Sequence, residues 1–157
     1  MSTRQTTFWL MLCVFFLAGC GDHGASPDLF DIKLSVKADQ VTNSNASPVE
    51  VSGYPVFVEV TMKTKDDSSG AGFYVHLIQK ESGAGTKYYY QGSTGFFNKT
   101  SNSIPVWLGS DSDINKYYQI YAIVNNTEQY EKNINGIKTF NELPRTPVSI
   151  LNLKRIR

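Results

Sequence analysis

Hydrophobic and polar positions alternate with a period of two through much of this chain. Phe30, Ile32, Leu34 and Val36 are separated by Asp31, Lys33 and Ser35, and Val56, Val58, Val60 and Met62 by Phe57, Glu59 and Thr61. A strand turns successive side chains to opposite faces, so both stretches are predicted to be half-buried strands. Less regular apolar runs predict further strands at 49–51, 73–79 (FYVHLIQ), 87–91 (KYYYQ), 103–108 (SIPVWL), 117–124 (YYQIYAIV) and 147–155. In the last of these Val148, Ile150 and Asn152 oppose Ser149, Leu151 and Leu153. Pro105 cannot donate to a ladder, which places 103–108 at a periphery. Gly53-Tyr54-Pro55 interrupts the run from 49 to 62, so a bulge or a strand switch is expected there.

Polar, turn-forming residues fill 37–48, 66–72, 82–86 and 109–116, with 82–86 reading as a hairpin loop. The weakly periodic stretch 125–143 is expected to hold a short helix around 128–133. Short strands recurring at intervals of about ten residues, with no convincing amphipathic helix and no internal repeat, predict an all-β, antiparallel sandwich of about seven to nine strands. A lipocalin-like barrel would need more regular hairpins than the chain supplies.

The first residues follow a different logic. Arg4 is the only charge before the apolar run FWLMLCVFFL at 8–17, which small residues and Cys20 follow. This is the pattern of a secretory signal peptide. At about 1.5 Å per helical residue the run reaches about half of a ~30 Å hydrocarbon core, too short for a permanent span. Leu17-Ala18-Gly19-Cys20 resembles the lipobox of bacterial lipoproteins. The resemblance implies cleavage after Gly19, a thioether-linked diacylglycerol on Cys20 and acylation of its new amine. Several acyl chains at ~0.8 kcal/mol per buried methylene anchor stably, where one would be marginal.

The expected organisation is therefore a signal peptide at 1–19, a lipidated Cys20 with a small, polar tether at 20–28, and one sandwich domain at 29–157. Cleavage removes Cys13 and alkylation consumes Cys20, so no disulfide is expected. Gly21, where an aspartate resembles an inner-membrane retention signal, points to the outer membrane. The sequons at Asn45, Asn98 and Asn125 read as chance matches in a bacterial lipoprotein.

Three segments carry a second resemblance. The run 75–79 ahead of Tyr88-Tyr89-Tyr90-Gln91-Gly92, then 104–124 (IPVWLGSDSDINKYYQIYAIV), then Leu143-Pro144 before a final strand, resemble an immunoglobulin-like β-sandwich module of bacterial and archaeal surface proteins. In that module an aromatic pair and Pro-Gln-Gly end a hairpin, and aliphatic-x-Leu-Gly leads through an acidic loop into aromatic-x-Ile-x-Ala. Trp107-Leu108-Gly109, Asp113, Lys116 and Tyr118-Gln119-Ile120-Tyr121-Ala122 occupy those places, over a match running from Val51 to Arg155. Tyr90 stands where the module commonly has proline. These motifs specify packing and turns and imply no catalytic group.

Composition narrows the function. With 15 Lys and Arg against 14 Asp and Glu, the chain lacks the basic footprint of a nucleic-acid binder, and none is expected as a partner. Once residues 1–19 are removed, 14 basic side chains face 14 acidic ones. Two histidines remain, His23 on the tether and His76 inside a strand. His76 reads as a strand residue facing solvent or a satisfied neighbour, and neither lies in a recognised catalytic motif. The series Asp111-Ser112-Asp113-Ile114-Asn115 alternates oxygen ligands as calcium loops do. It lacks the glycine and downstream glutamate of an EF-hand, so it reads as an inter-strand loop. No catalytic residue, metal or cofactor is expected.

Aromatic residues are the remaining signal. Tyr88, Tyr89, Tyr90, Trp107, Tyr117 and Tyr118 form the candidate binding surface, with Phe96 and Phe97 nearby in sequence. Tyr88 and Tyr90 must face away from Tyr89. Exposed rings of this kind stack on sugars or anchor protein partners, whereas buried ones form cross-strand pairs. The leading expectation is a lipid-anchored, non-enzymatic recognition or scaffolding module at the bacterial envelope, an accessory subunit of a larger assembly. The membrane through Cys20 and an envelope protein are its expected partners. The alternatives are a module binding peptidoglycan or surface polysaccharide and, below that, an envelope hydrolase.

Overall fold

A computed structural model of the chain describes residues 30–64, 73–83, 87–95, 101–125 and 139–157. The signal peptide, Cys20, the tether with His23, the loop at 66–72, Phe96, Phe97 and the expected helix at 128–133 lie outside the described residues.

The strands are β1 (Phe30–Val36), β2 (Val41–Asn43), β3 (Val49–Val51), β4 (Val56–Thr64), β5 (Tyr74–Glu81), β6 (Tyr88–Gly95), β7 (Ser101–Val106), β8 (Tyr117–Asn125), β9 (Thr139–Phe140) and β10 (Ser149–Arg155). They form a three-stranded sheet, β1-β4-β7, and a seven-stranded sheet, β2-β3-β10-β8-β5-β6-β9. Every pairing among them is antiparallel except that of β3 with β10. The all-β sandwich expected from the alternation is thus present, with ten strands among the described residues instead of seven to nine. The excess comes from β2 and β9, of three and two residues. Such short elements form because neighbouring ladders supply partners, and they leave almost no periodic trace.

The interruption at Gly53-Tyr54-Pro55 is a strand switch, with β3 in the long sheet and β4 in the short one. Pro105 lies in β7, an edge strand, where its missing N–H costs no ladder bond. Facing residues of both sheets build the core. Ile32 and Val36 of β1, Val56, Val58, Val60 and Met62 of β4, and Ile104 and Val106 of β7 meet Val75 and Leu77 of β5, Tyr118, Ile120, Ala122 and Val124 of β8, and Leu153 of β10.

The central strands β5 and β8 are buried on their other face too. Ile78, Tyr121 and Ile123 form a second cluster on the outside of the long sheet, against which Tyr88, Tyr90, Phe140 and Leu143 pack. This is why 73–79 and 117–124 read as nearly continuous apolar runs. The β5–β6 ladder shifts register between Leu77 and Ile78, where Gln91 is left as an extra residue between Tyr90 and Gly92. The bulge lies beside Tyr90, where the resembling module has proline. From it the Gln91 side chain reaches the short sheet, its Oε1 accepting the Trp107 N–H at 2.7 Å.

Candidate functional site

The structure divides the sequence-predicted aromatic surface into five places. Tyr118 belongs to the core, 1% exposed, because its parity on β8 matches that of Ile120 and Ala122. It is therefore corrected from a surface residue to a packing one. Tyr88 and Tyr90 cover the second cluster, where Tyr88 meets Tyr121 edge-on at 5.7 Å and the Tyr90 hydroxyl lies 3.2 Å from His76 Nδ1. His76 is fully buried, so it is the satisfied neighbour of the two sequence readings. Tyr89 is half-buried, and its carbonyl accepts the Gln91 amide at 3.3 Å. Trp107 and Tyr117 are exposed, at 46% and 47%, on the outer faces of different sheets.

Around Trp107 the fold assembles a platform whose other members the sequence did not single out. On the outer face of the short sheet Phe57 lies opposite Pro105 in the β4–β7 ladder, and Trp107 follows two positions further on the same face. Tyr54 meets Trp107 edge-to-face with ring centroids 4.9 Å apart. Tyr54, Phe57 and Trp107 are half of the six exposed large hydrophobic residues among those described. Their grouping sets them apart from a scatter of single exposed rings.

The platform is held from below. The Tyr54 hydroxyl donates to the Gly109 carbonyl at 3.1 Å, and the Arg155 guanidinium lies 4.6 Å from the centroid of the Tyr54 ring. Gln40 accepts the Phe57 N–H at 2.6 Å and donates to the Pro55 carbonyl at 2.9 Å, fixing the strand switch that carries Tyr54. Gln91 holds the Trp107 backbone from the opposite side. Rings fixed in this way lose little conformational freedom when a partner covers them.

Arg155 organises the loop beneath. It is 2% exposed, and its guanidinium donates to the carbonyls of Leu108 (3.1 Å), Ser110 and Asp111 (2.9 Å). In the same loop Asp113 Oδ2 accepts the Ser110 N–H at 2.8 Å and the Ser110 hydroxyl at 2.9 Å, and Lys116 bridges Asp113 (2.8 Å) to Glu81 (2.9 Å). The Lys116 ammonium, then the Ser110 donors, hold the Asp113 carboxyl well below the usual carboxylate range. The two carboxylates in turn hold the Lys116 ammonium above its ordinary value. The series at 111–115 lies in the loop between β7 and β8, with the Asp113 carboxylate bonded to Ser110 and Lys116. No group of three or more His, Cys, Asp or Glu gathers among the described residues, and none of the helices there is long and apolar enough to cross a membrane.

Tyr118 lies under this loop. Burial, then the Glu81 and Asp113 charges, push its phenol up to about 12. An unfolded tyrosine titrates near ~10, so between these values the folded chain keeps a proton that the unfolded chain releases. This contribution to stability is fully present below pH ~10 and is lost as pH rises through the folded value. Denaturation midpoints measured from pH 9 to 12 should fall more steeply for the parent chain than for Tyr118→Phe. Equal slopes would remove Tyr118 from the alkaline transition.

Neither a protein-family model, nor a curated protein, nor a solved structure matches this chain.

Proposed function

We propose that this protein is a lipid-anchored envelope lipoprotein whose immunoglobulin-like sandwich works by recognition, as a non-enzymatic accessory subunit of an envelope assembly. The observation that carries the recognition reading is the fixed aromatic platform of Tyr54, Phe57 and Trp107. Aromatic side chains on a rigid backbone are the usual anchors of protein interfaces, since they bury much area at little entropic cost. The anchoring part rests on the apolar run at 8–17 and Leu17-Ala18-Gly19-Cys20, and outer-membrane placement rests on Gly21.

Two features support the immunoglobulin-like part. The β1-β4-β7 sheet faces a sheet containing β10-β8-β5, the connectivity of strands A-B-E against G-F-C. Tyr118 lies near the start of β8 with its ring against the loop that precedes the strand, the position at which such modules carry a corner tyrosine, though its hydroxyl lacks that motif's hydrogen bond to the backbone.

The test is in-cell crosslinking of the full chain in its native membranes, with the parent compared with Trp107→Ala, Tyr54→Ala and Cys20→Ser. The expected result is a discrete protein adduct that falls about tenfold or more in either ring variant, as loss of one interface anchor predicts, while melting temperatures barely move. Cys20→Ser should leave the membrane fraction. An adduct indifferent to both ring variants would refute the platform, and a Cys20→Ser chain that still pellets with lipid would refute the anchor.

A further inference from the structure

The long sheet carries a hollow that the platform does not explain. It has a volume of about 280 Å³ and is lined by Ser47, Pro48, Ser82, Tyr117, Tyr118, Asn152 and Leu153. Three elements converge to make it. Ser47-Pro48 leads into β3, whose Val49 pairs with Leu153 of β10, and Ser82 follows β5, its N–H bonded to the Tyr117 carbonyl at 2.8 Å. Tyr117 is 47% exposed, opposite Lys154 in the β8–β10 ladder.

The lining chemistry is specific. Pro48 and Tyr117, whose ring centroid lies 6.0 Å from the Lys154 ammonium, are the lining residues with apolar rings. Ser47, Ser82 and Asn152, also in the lining, carry two hydroxyls and one amide. Asn152 Oδ1 already accepts from Gln119 Nε2 at 3.1 Å, a bond that fixes the amide with its NH2 as donor. The neighbouring charges are internally matched. Lys154 is bonded to Glu50 at 3.0 Å, and Lys116 to Glu81 at 2.9 Å and Asp113 at 2.8 Å. An anionic ligand would have to compete with these carboxylates, whereas a neutral one meets no opposing field.

We propose that this hollow is a subsite for one neutral sugar ring of a glycan. A pyranose presents an apolar C–H face suited to Tyr117 and a rim of hydroxyls suited to Ser47, Ser82 and the Asn152 amide. The volume lies just under the roughly 300 Å³ at which small-molecule sites usually begin, which fits a single ring of a longer chain lying across the sheet. The site is on the opposite sheet from Tyr54, Phe57 and Trp107, so it does not depend on the platform.

The experiment is a titration of the detergent-solubilised full chain with maltotriose, triacetylchitotriose and, as the charged comparison, a galacturonate trimer, followed by amide shifts in two-dimensional NMR. The expected result is saturable shifts at Ser47, Ser82, Tyr117 and Asn152 with at least one neutral trimer. Tyr117→Ala and Asn152→Ala should each weaken binding by about tenfold, the scale of one lost aromatic or polar contact, and Trp107→Ala should not. Because Tyr117 and Asn152 are exposed, both variants should keep the parent melting temperature. No saturation by either neutral trimer, preference for the galacturonate, or binding untouched by Tyr117→Ala would overturn the proposal. Each of these leaves the crosslinking result at Trp107 standing.

Discussion

Arg155→Ala should lower the stability of the domain by about 3–4 kcal/mol, a loss at the upper end for truncation of a single polar side chain. The guanidinium satisfies the carbonyls of Leu108, Ser110 and Asp111 from a site that is 2% exposed. Deleting it leaves those acceptors without a donor and opens a void under Tyr54. At about 2–4 °C per kcal/mol for a chain of this size, the melting temperature should drop by roughly 10 °C. Arg155→Lys should recover less than half of the loss, since one ammonium cannot reproduce a planar fork. Arg155→Met separates the causes, because it keeps the alkyl packing and removes the donors. A methionine variant as stable as the parent would show that the carbonyl bonds contribute nothing net. Because Arg155 also supports Tyr54, Arg155→Met should weaken crosslinking at the platform.

Gly109→Ala is expected to cost about 3 kcal/mol, from two sources that a control can divide. The residue has φ +70°, a region costing an alanine about 1 kcal/mol or more. A Cβ there would also lie 2.5 Å from the Tyr118 hydroxyl and 2.7 Å from Asp113 Oδ2. Gly83 has a similar φ of +84°, but nothing lies within 4 Å of its virtual Cβ. Gly83→Ala should therefore lose only the conformational part, about 1 kcal/mol. Urea denaturation of both variants measures the difference. If the two losses were equal, the close approach to Tyr118 would carry no energy. Combining Gly109→Ala with Tyr118→Phe, which removes one obstructing atom, should restore part of the deficit.

Much of the fold was legible because β1 and β4 each bury one face and expose the other, which writes a period of two into the sequence. Pro105 marked an edge and Gly53-Tyr54-Pro55 a switch through backbone chemistry that does not depend on distant residues. What escaped were elements defined by their partners. β2 lies in a stretch read as polar loop, and β6 continues through Gly92 to Gly95 on the strength of its ladder with β5. The candidate site was half legible. Trp107 and Tyr117, two members of the candidate aromatic surface, are exposed. Tyr118 is not, and its parity with Ile120 on the strand points inward. Tyr54 and Phe57 join the platform only because the chain changes sheets between them, a juxtaposition no local pattern records. Arg155 did leave a trace, for it shares the inward parity of Leu151 and Leu153, where a charge is anomalous.

The long axis of the sandwich also has a direction. Phe30, the first described residue, pairs with Thr64 at one pole, and β1 carries the chain over its seven residues to Val36 beside Val58. Phe57, Tyr54, Trp107, the Arg155-bound loop and Tyr117 all lie toward the other pole, about 23 Å away at ~3.3 Å per strand residue. Under the proposed anchoring through Cys20, both proposed surfaces would lie at the pole away from Phe30, the end at which the described chain begins. On that proposal the lipid would serve as a stalk base for reaching a partner that stands off from the membrane.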